Sequence, residues 1–336
     1  MPPSRRSAAG GASDWEGVRL HVVSGKGGTG KTTVAGALAL ALASGGGRVL
    51  LLEVEGRQGI AQLFDTPPLP YEERRIAIAP DGGEVFALAV DAEEALLEYL
   101  DLFYHLGRAG RVLKKIGAIE FATTIAPGLR DVLLTGKAYE AAGRRRAGRT
   151  EYDAIVLDAP PTGRITRFLN VNHEVAGLAR VGPIRTQSDS IMRLIRSPRT
   201  AVHLVTLLEE MPTQETIDGV DELTAADLPV GGVFVNMVRR PPLRPTDLVR
   251  AGKNELDPAE VTRGLRAAGL HPDETMVAAL LGEAAGASER VAMEKRERKA
   301  LAKLARPTYE LPWIPEGIDL GALHELAGAL RVAGAA

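Results

Sequence analysis

The sequence predicts an α/β fold, a mostly parallel sheet flanked by helices with a helical subdomain inserted in it. Three observations point there. Continuous apolar runs such as Arg48–Glu55 and Tyr152–Asp158 end in an acid, the pattern of central parallel strands covered on both faces. A glycine-rich loop joins the first apolar run to a helix-length apolar stretch. From Asp91 the periodicity turns helical and persists to about Gly143, longer than a simple crossover needs.

The first β-α unit carries the chemistry. Val18–Val23 reads as a strand and Val34–Ala43 as the helix after it. Between them, Gly25-Lys26-Gly27-Gly28-Thr29-Gly30-Lys31-Thr32-Thr33 fits the phosphate-binding pattern G-x-x-x-x-G-K-[ST]. Backbone N–H groups of such a loop, with the positive end of the next helix, form a concavity for anionic phosphate. The glycines allow close approach, Lys31 reaches the β and γ phosphates, and the Thr32 hydroxyl ligates Mg²⁺. ATP and Mg²⁺ are the ligands this implies. The alternative is a glycine-rich turn with incidental lysines. The strand and helix in register on either side argue against it.

Composition bounds the partners. The 336 residues are 45% hydrophobic and 25% charged, ordinary for a soluble globular protein. With 41 basic and 43 acidic residues the formal charge is −2, so no nucleic-acid partner is expected. No run reaches the roughly 18–20 apolar residues of a membrane span, so direct membrane insertion is not expected either. Residues 1–16, rich in Pro, Ser and Gly without an apolar core, read as a disordered tail rather than a secretory signal. Residues 17–336 are then one domain, and the chain is expected to be cytoplasmic. There is no cysteine, which excludes disulfides, thiolate-bound zinc and cysteine-held iron–sulfur clusters. The histidines (His21, His105, His173, His203, His271, His324) show no ligand spacing.

The remaining elements follow in order. Glu55 ends the second strand, at the carboxyl edge where open α/β sheets bind ligands. Arg75–Ala79 and Val85–Val90 flank Pro80-Asp81-Gly82-Gly83-Glu84, a hairpin signal. Asp91 is a plausible N-cap, with Leu96, Leu97, Leu100, Phe103 and Tyr104 on one apolar face. Arg144–Arg149 reads as a solvated basic loop. Asp158 ends the Tyr152–Leu157 strand and fits the Walker-B role, holding Mg²⁺ through its water shell. Pro160, Pro161 and Gly163 shape a loop beside the γ-phosphate, a natural switch. Val181–Thr200 reads as a mobile connection flanked by short helix. Ala201–Thr206 and Gly231–Asn236 are strands joined by a helix over Thr213–Thr224. Residues 239–275 carry no assignment. Ser288–Ala305 reads as a solvent-facing helix, Thr308–Leu311 as a last strand, and the leucines of Ile318–Ala336 as docked on the domain.

A second lysine narrows the class. Lys26, directly after the first glycine, makes the loop resemble the deviant phosphate loop of ParA/MinD, nitrogenase iron-protein and ArsA/GET ATPases, P-loop NTPases of the SIMIBI type. The resemblance implies that Lys26 reaches across a dimer to the facing subunit's nucleotide, as an arginine finger does, a contribution of about 10³–10⁵ in rate. A solvated loop lysine is the alternative.

The stretch Asp158-Ala159-Pro160-Pro161-Thr162-Gly163-Arg164-Ile165-Thr166-Arg167-Phe168-Leu169 resembles the ArsA/GET switch II, D-T-A-P-T-G-H-T-L-R-x-L. With Gly25–Thr33 and the strand ending at Glu55, it identifies the chain as similar to ArsA/GET over roughly residues 18–330. Nearest in character are single-module ArsA-like proteins of actinobacteria. The resemblance puts Asn236 at the adenine-contacting position and Leu311-Pro312 in a loop over the base.

Two departures matter. Glu55 stands where the family's D-P-A-H-N switch I has the Asp that orients the attacking water. The added methylene displaces the carboxylate by roughly an ångström, which can cost about 10²-fold. Without cysteine, neither thiolate arsenite binding nor an intersubunit zinc clasp can operate.

The leading function is a cytoplasmic Mg-ATPase acting as a dimeric switch, with itself or with a paralogous ATPase. The helical subdomain, about 93–143 plus 181–224, would present a hydrophobic surface to a protein client. The second is a slow or non-hydrolysing nucleotide-binding subunit paired with a catalytic paralogue. The third is a ParA/MinD-like positioning ATPase, which the weakly basic C-terminal helix disfavours.

Overall fold

The computed structural model describes residues 13–104, 128–178 and 183–336. Its centre is an eight-stranded sheet: β1 (Leu20–Gly25), β2 (Arg48–Glu53), β3 (Arg74–Ile78), β4 (Glu84–Ala89), β7 (Ala154–Asp158), β8 (Thr200–Thr206), β9 (Val230–Val238) and β10 (Thr308–Pro312), in the order β10-β9-β8-β1-β7-β2-β4-β3. All neighbours are parallel except β3, which closes one edge antiparallel to β4 as the hairpin signal predicts. A two-strand hairpin, β5 (Arg145–Arg146) and β6 (Arg149–Thr150), lies apart.

Burial explains the apolar runs. Val49 and Leu51 face a layer with Val34, Leu38 and Leu326, contributed by α1 (Lys31–Ala43) and the C-terminal helix over Leu320–Val332. Leu50 and Leu52 point the other way, among Leu134, Phe168, Leu169 and Ile191. Both faces of β2 are therefore dry, and each buried leucine contributes about 1.5–3 kcal/mol. The second layer is built from α4 (Leu129–Gly143), α5 (Thr162–Leu178), α6 (Pro183–Ile195) and α7 (Glu210–Ala225).

Between α1 and these lie the short α2 (Gly59–Leu63) and the longer α3 (Ala92–Tyr104). Asp91 caps α3 as expected, its Oδ1 accepting from the N–H groups of Glu93 and Glu94 at 2.9 Å each. Residues 239–275, without a sequence assignment, hold α8 (Pro245–Gly252) and α9 (Pro258–Ala267). The charged helix is α10 (Glu274–Leu301), beginning fourteen residues before Ser288, with Asp273 as its N-cap. The last helix, α11 (Leu320–Val332), docks through Leu323, Leu326 and Leu330.

Several expectations are corrected. Within 181–224, assigned to the helical subdomain, Thr200–Thr206 is the central strand β8. Among the described residues of that span only α6 and α7 are helical, and both pack in the layer over the sheet. Most of Val181–Thr200, read as a connection, is a regular 13-residue helix, α6, from Pro183. The inserted region between Tyr104 and Gly128 lies outside the described residues, as do residues 1–12 of the tail.

The end of that tail is held. Tyr309 donates to Asp14 Oδ2 at 2.8 Å, and Trp15 meets the His203 ring edge-on at 4.8 Å. Arg144 is not solvated either. It pairs with Glu140 and Glu73 at 2.6 and 2.7 Å, fixing the start of the basic hairpin.

His203 belongs to a buried pair. Gly232 donates its N–H to His203 Nδ1 at 3.0 Å, so that ring carries its proton on Nε2 and donates to His21 Nδ1 at 3.1 Å. Burial drives the His21 pKa down to about 4 and that of His203 well below its ordinary value.

Candidate functional site

The parallel register gathers the site at the carboxyl ends of the central strands. Val23 aligns with Asp158 and Asp158 with Glu53, so the ends of β1, β7 and β2 form one row. The loop from Gly25 to Thr33 rises from β1 beside this row.

Two glycines are demanded by geometry. A Cβ at Gly25 would collide with the Val205 carbonyl oxygen. Gly30 has φ +84°, and a Cβ there would run into the Asn236 amide. Gly28 also has positive φ, in open space, while Gly27 is unhindered. Thr29 is buried and its hydroxyl donates to the Lys26 carbonyl at 2.9 Å, folding the loop back on itself.

Helix α1 starts at Lys31 without a side-chain cap. Lys31, Thr32 and Thr33 thus supply first-turn N–H groups, which a helix leaves without intrahelical partners and which suit an anion.

Beside that helix start, Thr32 Oγ1 donates to Asp158 Oδ2 at 2.7 Å. Asp158 is 8% exposed. Burial pushes its carboxyl up to about 6, against the pull of the Thr32 hydrogen bond and the Lys31 charge, while Glu53 and Glu55 push it further up. A buried carboxylate and a hydroxyl facing a phosphate cradle are the hard oxygen donors that suit Mg²⁺, which completes its shell with water and phosphate. Among the described residues no three His, Cys, Asp or Glu side chains cluster as a metal cage.

The anion-transporting ATPase family model of ArsA matches residues 18–197, which span the phosphate loop, Glu55 and Asp158. The chain is also 53% identical over 329 residues to ATPase BagA of Mycobacterium tuberculosis, covering 98% of this chain and 97% of that protein. The chain belongs to the ArsA ATPase family. More distant matches are partial. A protein of Aquifex aeolicus named for driving an arsenical pump is 31% identical over 156 residues, 45% of this chain and 48% of that protein. A Streptomyces coelicolor protein is 29% identical over 270 residues, 76% of this chain and 61% of that protein.

In this ArsA-family ATPase the α/β fold and the ATP-binding loop agree with the sequence reading. The structure brings Lys31, Thr32 and Asp158 together. Glu55 stands close by, 3.7 Å from Arg57 and 4.0 Å from Arg164 of the switch II stretch. Asn236, on β9, donates to the Thr29 carbonyl at 2.9 Å and so supports the loop from below. Leu311 and Pro312, expected in a loop, instead end strand β10, Pro312 in register with Val238, and the Trp313 N–H donates to the Val238 carbonyl at 2.9 Å. Arg239 lies over the Trp313 ring at 4.4 Å, forming a lip beyond Asn236. Lys26 lies within its own subunit, 3.3 Å from Glu215.

Three contributors escaped the sequence reading. Glu53, 2% exposed, accepts from the N–H groups of Gly59 and Ile60 at 3.3 and 3.1 Å and so holds the start of α2 behind Glu55. Its only signal is an acid ending an apolar strand. Ser24, fully buried, donates to the Pro160 carbonyl at 2.6 Å and ties β1 to the loop that follows β7. Glu215 accepts from the Thr162 hydroxyl at 2.6 Å. Neither Ser24 nor Glu215 has a local sequence signature.

Proposed function

We propose that the protein is a cytoplasmic Mg²⁺-dependent ATPase that works as a dimeric nucleotide switch coupled to a protein client. The observation carrying this reading is the Thr32–Asp158 contact beside the uncapped start of α1. Here the loop N–H groups and Lys31 bind the phosphates. Thr32 and Asp158 would hold Mg²⁺, which would supply positive charge against the transferred phosphoryl group. Glu55 orients the attacking water, steadied by Arg57 and Arg164. Lys26 completes the site of a facing subunit, either a second copy or a paralogue.

The family name does not extend to thiolate-bound arsenite, because the chain has no cysteine. Among the described residues no helix is long and apolar enough to cross a membrane.

The test is ATP turnover by the purified full chain with Mg²⁺. Lys31→Ala is expected to abolish it. Lys26→Ala is expected to lower it by at least about 10³-fold if the lysine acts as a finger. Full activity in Lys26→Ala would remove that role.

Glu55 favours a second reading, a nucleotide-binding subunit that hydrolyses slowly and serves a catalytic paralogue. Tight ATP binding without turnover, in both the wild type and Glu55→Asp, would support it. Turnover restored by Glu55→Asp would show that the longer acid alone limits the rate.

A further inference from the structure

One carboxylate joins the phosphate loop to the switch. Glu215, on α7, has Oε2 3.3 Å from Lys26 Nζ and Oε1 2.6 Å from the Thr162 hydroxyl that opens α5. The helix is shaped for this approach. Gly219 lies four residues on, hence on the same helix face. A Cβ there would crowd Thr162 Cγ2 at 3.3 Å, while Leu204 Cδ1 at 3.5 Å would be an ordinary contact. The missing side chain lets α7 settle against the loop that follows Asp158.

We infer that Glu215 is a positioning residue that parks Lys26 inside its own subunit and links its release to movement of the Thr162 loop. This rests on the reading of Lys26 as a group that acts across the dimer. A lysine ammonium has one position at a time. While it faces Glu215 it is not available to a neighbouring nucleotide. Because Glu215 also accepts from Thr162, a shift of that loop removes one of the two contacts that orient the carboxylate.

The size of the effect follows from exposure. The two side chains are 32% and 33% exposed, so solvent screens the pair and its loss changes an equilibrium by about two- to five-fold. That suits a latch that has to open.

Glu215→Gln separates the two contacts, since the amide oxygen still accepts from Thr162 while the charge facing Lys26 is gone. The first readout is the rate at which N-hydroxysuccinimidyl acetate acetylates Lys26 in the nucleotide-free full chain, followed by peptide mass spectrometry relative to the exposed Lys303. Glu215→Gln is expected to raise that ratio about two- to five-fold, and Glu215→Asp to bring it back towards wild type. The second readout is specific ATP turnover against protein concentration, where the half-maximal concentration is expected to fall by a similar factor in Glu215→Gln. Equal Lys26 ratios in wild type and Glu215→Gln overturn the inference. Unequal ratios with turnover independent of protein concentration in both proteins keep Glu215 as the anchor of Lys26 and overturn the dimer reading instead.

Discussion

Thr32 and Asp158 meet through a 2.7 Å hydrogen bond although 126 residues separate them in the chain. The contact joins the first turn of α1 to the tip of β7, and it places a buried acid where a cation on a bound phosphate would need an oxygen. That acid is held at a cost, because burial favours its neutral form.

Asp158→Asn is therefore expected to separate stability from activity. The amide oxygen still accepts from Thr32, but the buried charge is gone. The ligand-free variant should gain up to about 2–3 kcal/mol at neutral pH. Its ATP turnover should fall by about 10²-fold or more, because the water shell of the cation loses its anchor. Urea unfolding and a phosphate-release assay check the two halves. A variant that is both less stable and fully active would contradict the account.

The loop glycines should differ in what they tolerate. Gly30→Ala combines a left-handed backbone with a collision against the Asn236 amide, whereas Gly28→Ala meets only the backbone penalty. The first is expected to lose about 2–4 kcal/mol and the second about 1–2 kcal/mol. Thermal melts rank them, and ATP titration should show weak binding for Gly30→Ala in particular.

Much of this site is legible in the residues themselves. The phosphate loop is local, so Gly25, Gly30, Lys31 and Thr32 are recognisable from spacing alone. Asp158 stands out because an acid interrupts an apolar strand. What bridges distant segments is not legible: Glu215 looks like any acid on an amphipathic helix, and Ser24 like any small residue in a strand. Helix α6 was obscured by the Gly, Pro and Ser around its start, although Pro183 occupies the first turn, where its missing N–H costs nothing. Arg144 looks solvated because its partner Glu73 is 71 residues away.

The buried histidines should make stability depend on pH. In the folded chain both rings stay neutral, while in the unfolded chain each takes a proton near its ordinary pKa of about 6.5. Their contribution is thus fully present above about pH 6.5 and is lost as the pH falls from there towards 4. Asp158, with its carboxyl raised to about 6, opposes one of the two. The expected slope between pH 6 and 5 is about 1.4 kcal/mol per pH unit, nearly doubling in Asp158→Asn. Urea midpoints across pH 5–7.5 measure it. A flat profile would show that one ring is already charged in the fold.

Arg144 should matter for stability although it is far from the phosphate loop. Its guanidinium serves Glu140, Glu73 and, at 3.5 Å, Glu151. Arg144→Met leaves these partly buried acids facing one another, and the expected loss is about 1–3 kcal/mol. The urea midpoint should fall with an unchanged slope, and ATP binding should survive in the folded fraction.

The Ser24 hydroxyl bond to the Pro160 carbonyl gives the loop after β7 the character of a detent. Buried as it is, the bond has no water to replace it, and parting the two atoms without new partners costs about 1–3 kcal/mol. A gradual slide of the loop is therefore penalised from its first step. Any movement of the segment after β7 would first have to break this bond, and would then proceed as a click rather than a drift.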